Sequence, residues 1–149
     1  PVADPTVEQA VEIAATAARA LVAGRPGSRI VAAAAAVPGL VRSVDGLVRV
    51  APHLGWREQP IGALLGEALG APATAVNDAQ SGCQAELAFG AGVGARSMVY
   101  LNGGASGIGG GIVMESRLLH GRDGHAGELG HLGIDRDGPA CVCAARGCL

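Results

Sequence analysis

Apolar residues recur at helical spacing in two parts of the first half of the chain. The first stripe opens with a capping-box pattern at Thr6 and Gln9 and stops at Gly24. The second stripe covers 61–69 and is closed by Gly70. The pattern therefore predicts two amphipathic helices, and the first presents an apolar face formed by Val7, Ala10, Val11, Ala14, Ala17, Ala18 and Leu21.

Between these helices the pattern changes to one that is typical of strands. Residues 29–37 are continuously apolar after the first, which favours a buried strand of a parallel or mixed sheet, although the five alanines also suit a helix. Two short apolar runs, 41–44 and 47–50, flank Asp45-Gly46, a strong hairpin signal. Residues 51–56 are expected to be irregular.

A further short strand is predicted over 73–76, and it ends at Asn77-Asp78. A third helix is expected at about 79–89, so these elements form an α/β unit that runs to about Gly90. Ligand-binding groups collect at the carboxyl ends of strands in α/β folds. An amide beside a carboxylate can grip two neighbouring sugar hydroxyls, and the carboxylate can accept a proton. Asp78 also suits a plain helix cap, and the residues alone favour that simpler role.

The remaining chain begins with a glycine-rich connection at 90–94, which is typical of a linker or hinge. A strand is expected over 97–102, followed by a glycine loop over 103–111 that leads into 112–114. Residues 117–119 complete a hairpin. Glycines let backbone amides approach a phosphate closely, but a glycine-rich hairpin also forms a simple tight turn.

Four possible metal ligands lie near the end of the chain. His131 is followed after nine residues by Cys141-x-Cys143, and Cys148 comes five residues later. Three thiolates and one imidazole fill a closed tetrahedral zinc site, and the intervening turn-forming residues allow the chain to fold back. Disulfides are the alternative, but Cys141 and Cys143 are too close to bridge each other comfortably. The spacing therefore predicts structural zinc.

Composition limits the remaining possibilities. The chain has 149 residues, is 49% hydrophobic and carries a net charge of −2, so it is globular without an electrostatic footprint for nucleic acid. All eleven basic residues are arginine, which excludes a catalytic lysine. No long apolar run predicts a membrane span, and residues 1–4 do not resemble a leader, so a soluble cytoplasmic protein is expected. Because the chain stops inside the metal motif, it is expected to be part of a longer polypeptide.

The end of the chain resembles a known family. Gly127-Glu128-Leu129-Gly130-His131, the cysteine spacing and Arg146-Gly147-Cys148 are similar to the signature of the ROK family of repressors, open reading frames and sugar kinases. The resemblance extends over nearly all of the chain. One departure is Ala144, where the family usually has glycine. If this position has a positive φ, alanine costs about 1 kcal/mol there.

The resemblance implies a partial α/β fold of the actin-like ATPase (ribonuclease H-like) type. Residues 1–92 would form part of the N-terminal lobe, and residues 93–149 would start the C-terminal lobe with the glycine-rich hairpin and the zinc knuckle. The segment Val76-Asn77-Asp78-Ala79 is similar to the family segment whose aspartate is the kinase base. By the resemblance, the sugar is bound by Asn77, Asp78, Glu128 and His131, and zinc is bound by His131, Cys141, Cys143 and Cys148.

The glycine-rich segment departs from the family kinases, which usually read Leu-Gly-Thr-Gly-Ile-Gly-Gly-Gly. This chain has Ala105-Ser106 in place of Gly-Thr and one residue more. That variation is more similar to the regulators, so phosphate binding by Gly104, Ser106, Gly107 and Gly109 is only weakly indicated. These residues contain neither the kinases' Asp-x-Gly-Gly-Thr loop nor the regulators' winged helix-turn-helix. Among the remaining candidates, His53, His120 and His125 are expected to be ordinary polar residues, and Cys83 to be a core residue.

The sequence therefore predicts the effector-sensing portion of a sugar-responsive transcriptional repressor. A sugar or amino sugar would shift lobe closure, and operator DNA would be bound by a domain outside this chain. The alternative is an ATP-dependent hexose or N-acetylhexosamine kinase that uses Asp78 as base and ATP with Mg²⁺. Both alternatives include structural zinc, and the resemblance implies a homodimer or tetramer.

Overall fold

The structure of the protein is a computed structural model, which describes residues 5–104 and 107–149. The chain forms two compact units, Pro1–Val76 and Asn77–Leu149. The division falls at the start of the third helix, whereas the sequence places the boundary between the two lobes after residue 92. The lobe assignment refers to a complete family protein and stays a prediction.

The two helices of the first unit form where the apolar stripes predict them. Helix α1 covers Val7–Ala23, and both hydrogen bonds of the capping box between Thr6 and Gln9 are present. Helix α2 covers Ile61–Leu69 and ends at Gly70, whose left-handed backbone conformation is readily adopted by glycine. The stripe on α1 is less buried than expected, because Val7 is its only fully buried residue, and Ala15, which is also fully buried, lies outside the predicted stripe.

The strands of the first unit form two small sheets. Strand β1, Ala33–Val37, is shorter than the predicted run of 29–37, and its burial alternates instead of being continuous. Strands β2 and β3, Leu40–Arg42 and Leu47–Ala51, form the predicted antiparallel hairpin. Strand β4, Trp56–Gln59, was not predicted and extends this sheet. The stretch expected to be irregular, 51–56, overlaps β3 and β4 at its two ends and contains a 3-10 helix, Pro52–Leu54. Strand β5, Ala73–Asn77, pairs with β1.

The core of the first unit joins both helices to both sheets. Trp56 is buried within it and donates its indole N–H to the backbone oxygen of Pro5 at 3.1 Å, which satisfies the one polar group of this side chain. The buried core residues are Val7, Val37, Val41, Val48, Ala51, Trp56, Ile61 and Ala75. This apolar cluster fixes β5, and the last residue of β5 is Asn77.

The second unit starts with helix α3, Asp78–Phe89. Three antiparallel strands follow: β6, Ser97–Gly104; β7, Gly107–Met114; and β8, Arg117–Leu118. The prediction of a loop over 103–111 is wrong for the described part of this segment, which belongs to β6 and β7. The residues after β8 include one 3-10 helix, Leu129–His131.

Two of the four glycines of β7 are explained by close packing on α3. A Cβ atom at Gly109 would lie 2.6 Å from the Cβ of Ala79, and one at Gly111 would lie 2.5 Å from the Cβ of Cys83. Both distances are too short for real side chains, so α3 can only pack this closely on a strand that lacks them. Cys83 is fully buried here, which confirms its predicted place in the core.

No helix in the described ranges, 5–104 and 107–149, is long and apolar enough to cross a membrane.

Candidate functional site

The start of α3 places the first pair of predicted site residues. Asn77 is the N-cap of this helix, and its side-chain oxygen accepts the backbone N–H of Gln80 at 2.8 Å. The helix therefore begins at Asp78 and not at Ala79, and the cap is Asn77 instead of the aspartate that the simpler interpretation favoured. Asp78 is half-buried in the first turn, where its Oδ1 accepts the backbone N–H of Ala79 at 2.8 Å.

The second pair of predicted site residues lies on a segment that runs directly over β7. A Cβ at Gly130 would lie 1.9 Å from the backbone oxygen of Ile108, and one at Gly127 would lie 3.2 Å from the Cα of Gly111. Gly127 also has φ +86°, which favours glycine. The two glycines thus allow Glu128 and His131 to be held against the strand backbone.

Glu128 is a half-buried carboxyl group at the start of the 3-10 helix. Burial raises its pKa above the ordinary value of 4.5, and the nearby Asp78 carboxylate adds to the increase. His131 and His125 act in the opposite direction and more weakly than burial. The effect of Asp78 on Glu128 shows that the structure brings these two residues, which are 50 positions apart in the sequence, near each other.

The four predicted metal ligands also come together. The ring nitrogens and sulfur atoms of His131, Cys141, Cys143 and Cys148 provide one ligand atom each, and these atoms all lie within 4.8 Å of one another. Nδ1 of His131 is 3.5 Å from Sγ of Cys141, and the sulfur atoms of Cys143 and Cys148 are 3.7 Å apart. All four cysteines of the chain are free thiols. The cluster is therefore a candidate metal site.

Local backbone geometry gathers these ligands. Isolated antiparallel bridges join Gly133 to Cys148 and Ala140 to Arg146, so the segment after His131 folds back on itself. Ala144 N–H donates to the oxygen of Cys141 at 3.0 Å in the turn between the cysteines. Ala144 has φ +69°, and a positive φ is unfavourable for alanine at this position.

The thiols of the cluster differ in acidity. Hydrogen bonds from the backbone amide and the thiol of Cys143 lower the pKa of Cys141 from 9.0 to about 7. Desolvation and the neighbouring sulfur atoms raise the pKa of Cys148 to about 11. A cation binds the deprotonated thiolates, so metal binding at this cluster would release protons.

The described glycines predicted to bind phosphate lie in paired strands of the glycine-rich hairpin. Gly104 pairs with Gly107 as the last pair of the β6–β7 ladder, while Gly109 faces Ala79 on α3. Ser106, the fourth predicted phosphate ligand, lies outside the described residues. Phosphate binding by this group stays a prediction.

Sequence reasoning missed Gln80, a buried polar residue on α3. Its Nε2 donates to the backbone oxygens of Gly124 and Ala126 at 2.8 and 2.9 Å, and its Oε1 lies 3.3 Å from Nδ1 of His120. A glutamine beside the apolar positions of the helix was the available signal. His125 is half-buried, and within the described ranges its Nε2 has no hydrogen-bond partner.

Two curated relatives represent two kinds of protein. The glucokinase of Streptomyces coelicolor (strain ATCC BAA-471 / A3(2) / M145) is 34% identical over 144 residues, which are 97% of this chain and 44% of the glucokinase. The xylose repressor of Caldicellulosiruptor bescii is 34% identical over 113 residues, which are 76% of this chain and 28% of the repressor. The chain thus spans less than half the length of the curated relatives that it matches.

The similar solved structures also include both a kinase and a transcriptional regulator. A ROK family glucokinase from Streptomyces griseus, in complex with glucose and AMPPNP, superimposes with a TM-score of 0.78 at 34% identity, covering 92% of this chain and 44% of the glucokinase. A ROK family transcriptional regulator, a homologue of the E. coli MLC protein, also gives 0.78 at 31% identity, covering 95% of this chain and 36% of the regulator.

These similarities identify the fold as part of the actin-like ATPase (ribonuclease H-like) α/β fold. The sequence model of the ROK family matches residues 3–149. Since that match covers nearly every residue, from before α1 to the last cysteine, the chain belongs to the ROK family.

Proposed function

We propose that this chain is the sugar-binding, effector-sensing portion of a ROK transcriptional repressor of sugar metabolism. The observation that carries the proposal is that Asp78 and Glu128 are two half-buried carboxyl groups, and that Asp78 lies close enough to raise the pKa of Glu128. A sugar offers several hydroxyl donors, which paired carboxyl groups can accept simultaneously. The neighbouring Asn77 and His131 complete the set of polar groups for a sugar or amino sugar.

We further propose that the metal is zinc with a structural role. Zinc–sulfur bonds of about 2.3 Å in a tetrahedron place two sulfur atoms about 3.8 Å apart, and a sulfur and a nitrogen about 3.6 Å apart. The observed separations are 3.7 Å for Cys143 to Cys148 and 3.5 Å for Cys141 to His131. Three thiols and one imidazole would fill every position, so zinc would supply structural fixation and not an open catalytic position.

His131 would connect the metal to the sugar. Its Nδ1 faces the sulfur of Cys141, so Nε2 is the ring nitrogen that remains for a sugar hydroxyl. An imidazole held by a metal is fixed in tautomer and orientation, which lowers the entropy cost of binding. In a repressor, the bound sugar would favour one conformation of the protein and thereby change operator binding by a domain outside these residues.

The second candidate is an ATP-dependent hexose or N-acetylhexosamine kinase. The alignment with the Streptomyces coelicolor glucokinase favours it, because 97% of this chain is matched there and 76% in the xylose repressor. In a kinase, Asp78 would accept the proton of the attacking hydroxyl, and ATP with Mg²⁺ would be required. The repressor is our first choice, because Ala105-Ser106 stands where the family kinases usually have Gly-Thr, a variation that is more similar to the regulators.

The decisive experiment measures ADP release by the zinc-loaded full-length protein with glucose, xylose, N-acetylglucosamine and N-acetylmannosamine. Thermal stabilisation by each sugar is measured in parallel. Sugar-dependent stabilisation without ADP release supports the sensor, whereas turnover that Asp78→Asn abolishes establishes the kinase. Asp123→Asn, the same change at an exposed position, should alter neither measurement. If the protein shows neither turnover nor stabilisation with any of the sugars, both candidates are wrong.

A further inference from the structure

Gln80 lies between the two halves of the proposed sugar site. Its backbone N–H is bound by the side chain of Asn77, at the start of α3. Its side chain, 7% exposed, reaches residues 120–126, which lead directly to Glu128. One residue is thus bonded to the segment that carries Asp78 and to the segment that carries Glu128.

The amide of Gln80 is fully engaged on the second segment. Both protons of Nε2 are donated, one to the oxygen of Gly124 and the other to the oxygen of Ala126. Oε1 can therefore only accept, so its contact with Nδ1 of His120 requires that this nitrogen carries the imidazole proton. The three contacts span the segment from its first residue to its last.

Residues 120–126 contain no helix or strand, and the hydrogen bonds of the Gln80 side chain attach this segment to α3. A backbone hydrogen bond from Ala126 to His120 closes the segment on itself, but it does not attach the segment to α3. Gly124 is buried, and its carbonyl would lose its partner if the amide of Gln80 were removed. Leaving a buried carbonyl unpaired is unfavourable, and a short irregular segment can move to relieve it.

We propose that Gln80 is a positioning residue for the sugar site, because it holds residues 120–126 on α3 and so sets the position of Glu128 relative to Asp78. This inference rests on the proposed function, in which a single sugar contacts both carboxyl groups. Such a contact requires side chains to be held within about 0.5 Å of the productive geometry. Gln80 touches no sugar itself and acts through the backbone of the segment.

The test compares Gln80→Met with Gln84→Met in the zinc-loaded full-length protein. Methionine keeps the length of the side chain and removes both donors, and Gln84 is an exposed glutamine on the same helix. We expect Gln80→Met to bind glucose or xylose, whichever the wild type prefers, about tenfold more weakly or worse, since two hydrogen bonds are lost. Gln84→Met should bind like the wild type, and both variants should retain zinc.

Two readouts do not depend on sugar. Amide hydrogen exchange at residues 120–128 should be faster in Gln80→Met, and the ¹⁵N shifts of His120 should show loss of the tautomer protonated at Nδ1. Ser81→Ala removes a different α3 hydrogen bond, from Oγ to the oxygen of Asn77 at 2.8 Å, and should change neither. It therefore separates positioning from a general loss of helix stability.

The outcomes are distinguishable. If Gln80→Met binds sugar and exchanges amides like Gln84→Met, the positioning role is overturned while the proposed function stands. If the wild type binds none of the sugars, the proposed function fails and the positioning of a sugar site fails with it, even where exchange shows that Gln80 holds the segment. Should Gln80→Met not fold, Gln80→Glu, which has the same shape but lacks the donors, is expected to give the same losses.

Discussion

The two layers that support the proposed site differ in how they are stabilised. On one side, α3 packs on β7 with Ala79, Cys83 and Val113 almost completely buried. On the other, the knuckle, residues 131–149, has only Gly138 and Gly147 buried, and Val142 is 71% exposed. The first layer can be stabilised by apolar burial, whereas the second has little apolar burial, and in our proposal metal ligation adds to the backbone hydrogen bonds that order it. A sugar site built on both would combine packing with metal-dependent order.

Removing the metal should have the largest effect on the difference between the two layers. Chelation, or Cys141→Ser, should disorder the knuckle and raise amide exchange at 132–149 by roughly a hundredfold or more, because zinc binding is coupled to folding. Amides of α3 and β7 should keep their protection. Val142→Ala, a truncation at an exposed knuckle position, should retain one zinc per chain and normal exchange. Unchanged protection of 132–149 after complete chelation would contradict the proposed dependence.

The opposite layer should be sensitive to added volume. Gly111→Ala would place a Cβ 2.5 Å from that of Cys83, and we expect the free energy of unfolding to fall by about 1–3 kcal/mol through overpacking. Gly103→Ala is the matched control, since nothing lies within 4 Å of the added atom. Urea denaturation measures both variants. Equal stabilities would show that α3 and β7 are not in direct contact.

Glu128 lies between the two layers along the chain, and its contribution to stability can be tested through the pH dependence of the melting temperature. Because burial raises its pKa above 4.5, the native state binds more protons than the unfolded state between that value and the raised one. Its contribution to stability therefore falls as pH rises through this window, and above the window the carboxylate is destabilising. Glu128→Gln should melt at a higher temperature than the wild type near neutral pH, by less than the Gly111→Ala effect, and this difference should vanish below pH 4.5.

The same Glu128→Gln protein should bind sugar more weakly, since a charged acceptor is replaced by an amide. Glu115→Gln, at an exposed turn, should leave both the melting temperature and sugar binding unchanged. A melting difference that is independent of pH would show that Glu128 does not ionise as proposed.

The smallest effect is expected at Ala144. Its φ of +69° is unfavourable for alanine, so Ala144→Gly should stabilise the metal-bound knuckle by about 0.5–1 kcal/mol. Competition with a chelator measures this as tighter zinc retention. Ala145→Gly provides the comparison, because Ala145 does not have a positive φ and glycine gives no relief there. Weaker zinc retention in Ala144→Gly would contradict the strain argument.

Sequence patterns predicted the fold best where local chemistry decides the structure. The capping box at Thr6, the Asp45-Gly46 turn and Gly70 all act within a few residues, and each ends or begins an element as expected. Strand β4 was missed because Trp56 is its only buried residue, so no alternation is visible. The loop prediction over 103–111 failed because a strand of glycines has no side-chain pattern to read.

In the candidate site, too, features that are close in sequence were predicted and contacts between distant residues were not. The metal ligands are close in sequence and were predicted together, and the structure gathers all four. The contact of Gln80 with Gly124 and Ala126 spans more than 40 residues and involves backbone oxygens, which every residue possesses. Such a contact leaves no signature in the sequence of the partner segment.

The packing of β7 also affects how related sequences are interpreted. Gly109 and Gly111 are required by the approach of α3, and Gly130 by the approach of its segment to Ile108, whether or not a nucleotide ever binds. Selection for the fold alone would therefore preserve these glycines in regulators and kinases alike. A motif search that scores them as nucleotide contacts would assign enzymatic activity too freely. At Gly103 and Gly104 an added Cβ would meet nothing within 4 Å, so these are positions at which lineages with and without phosphoryl transfer should diverge.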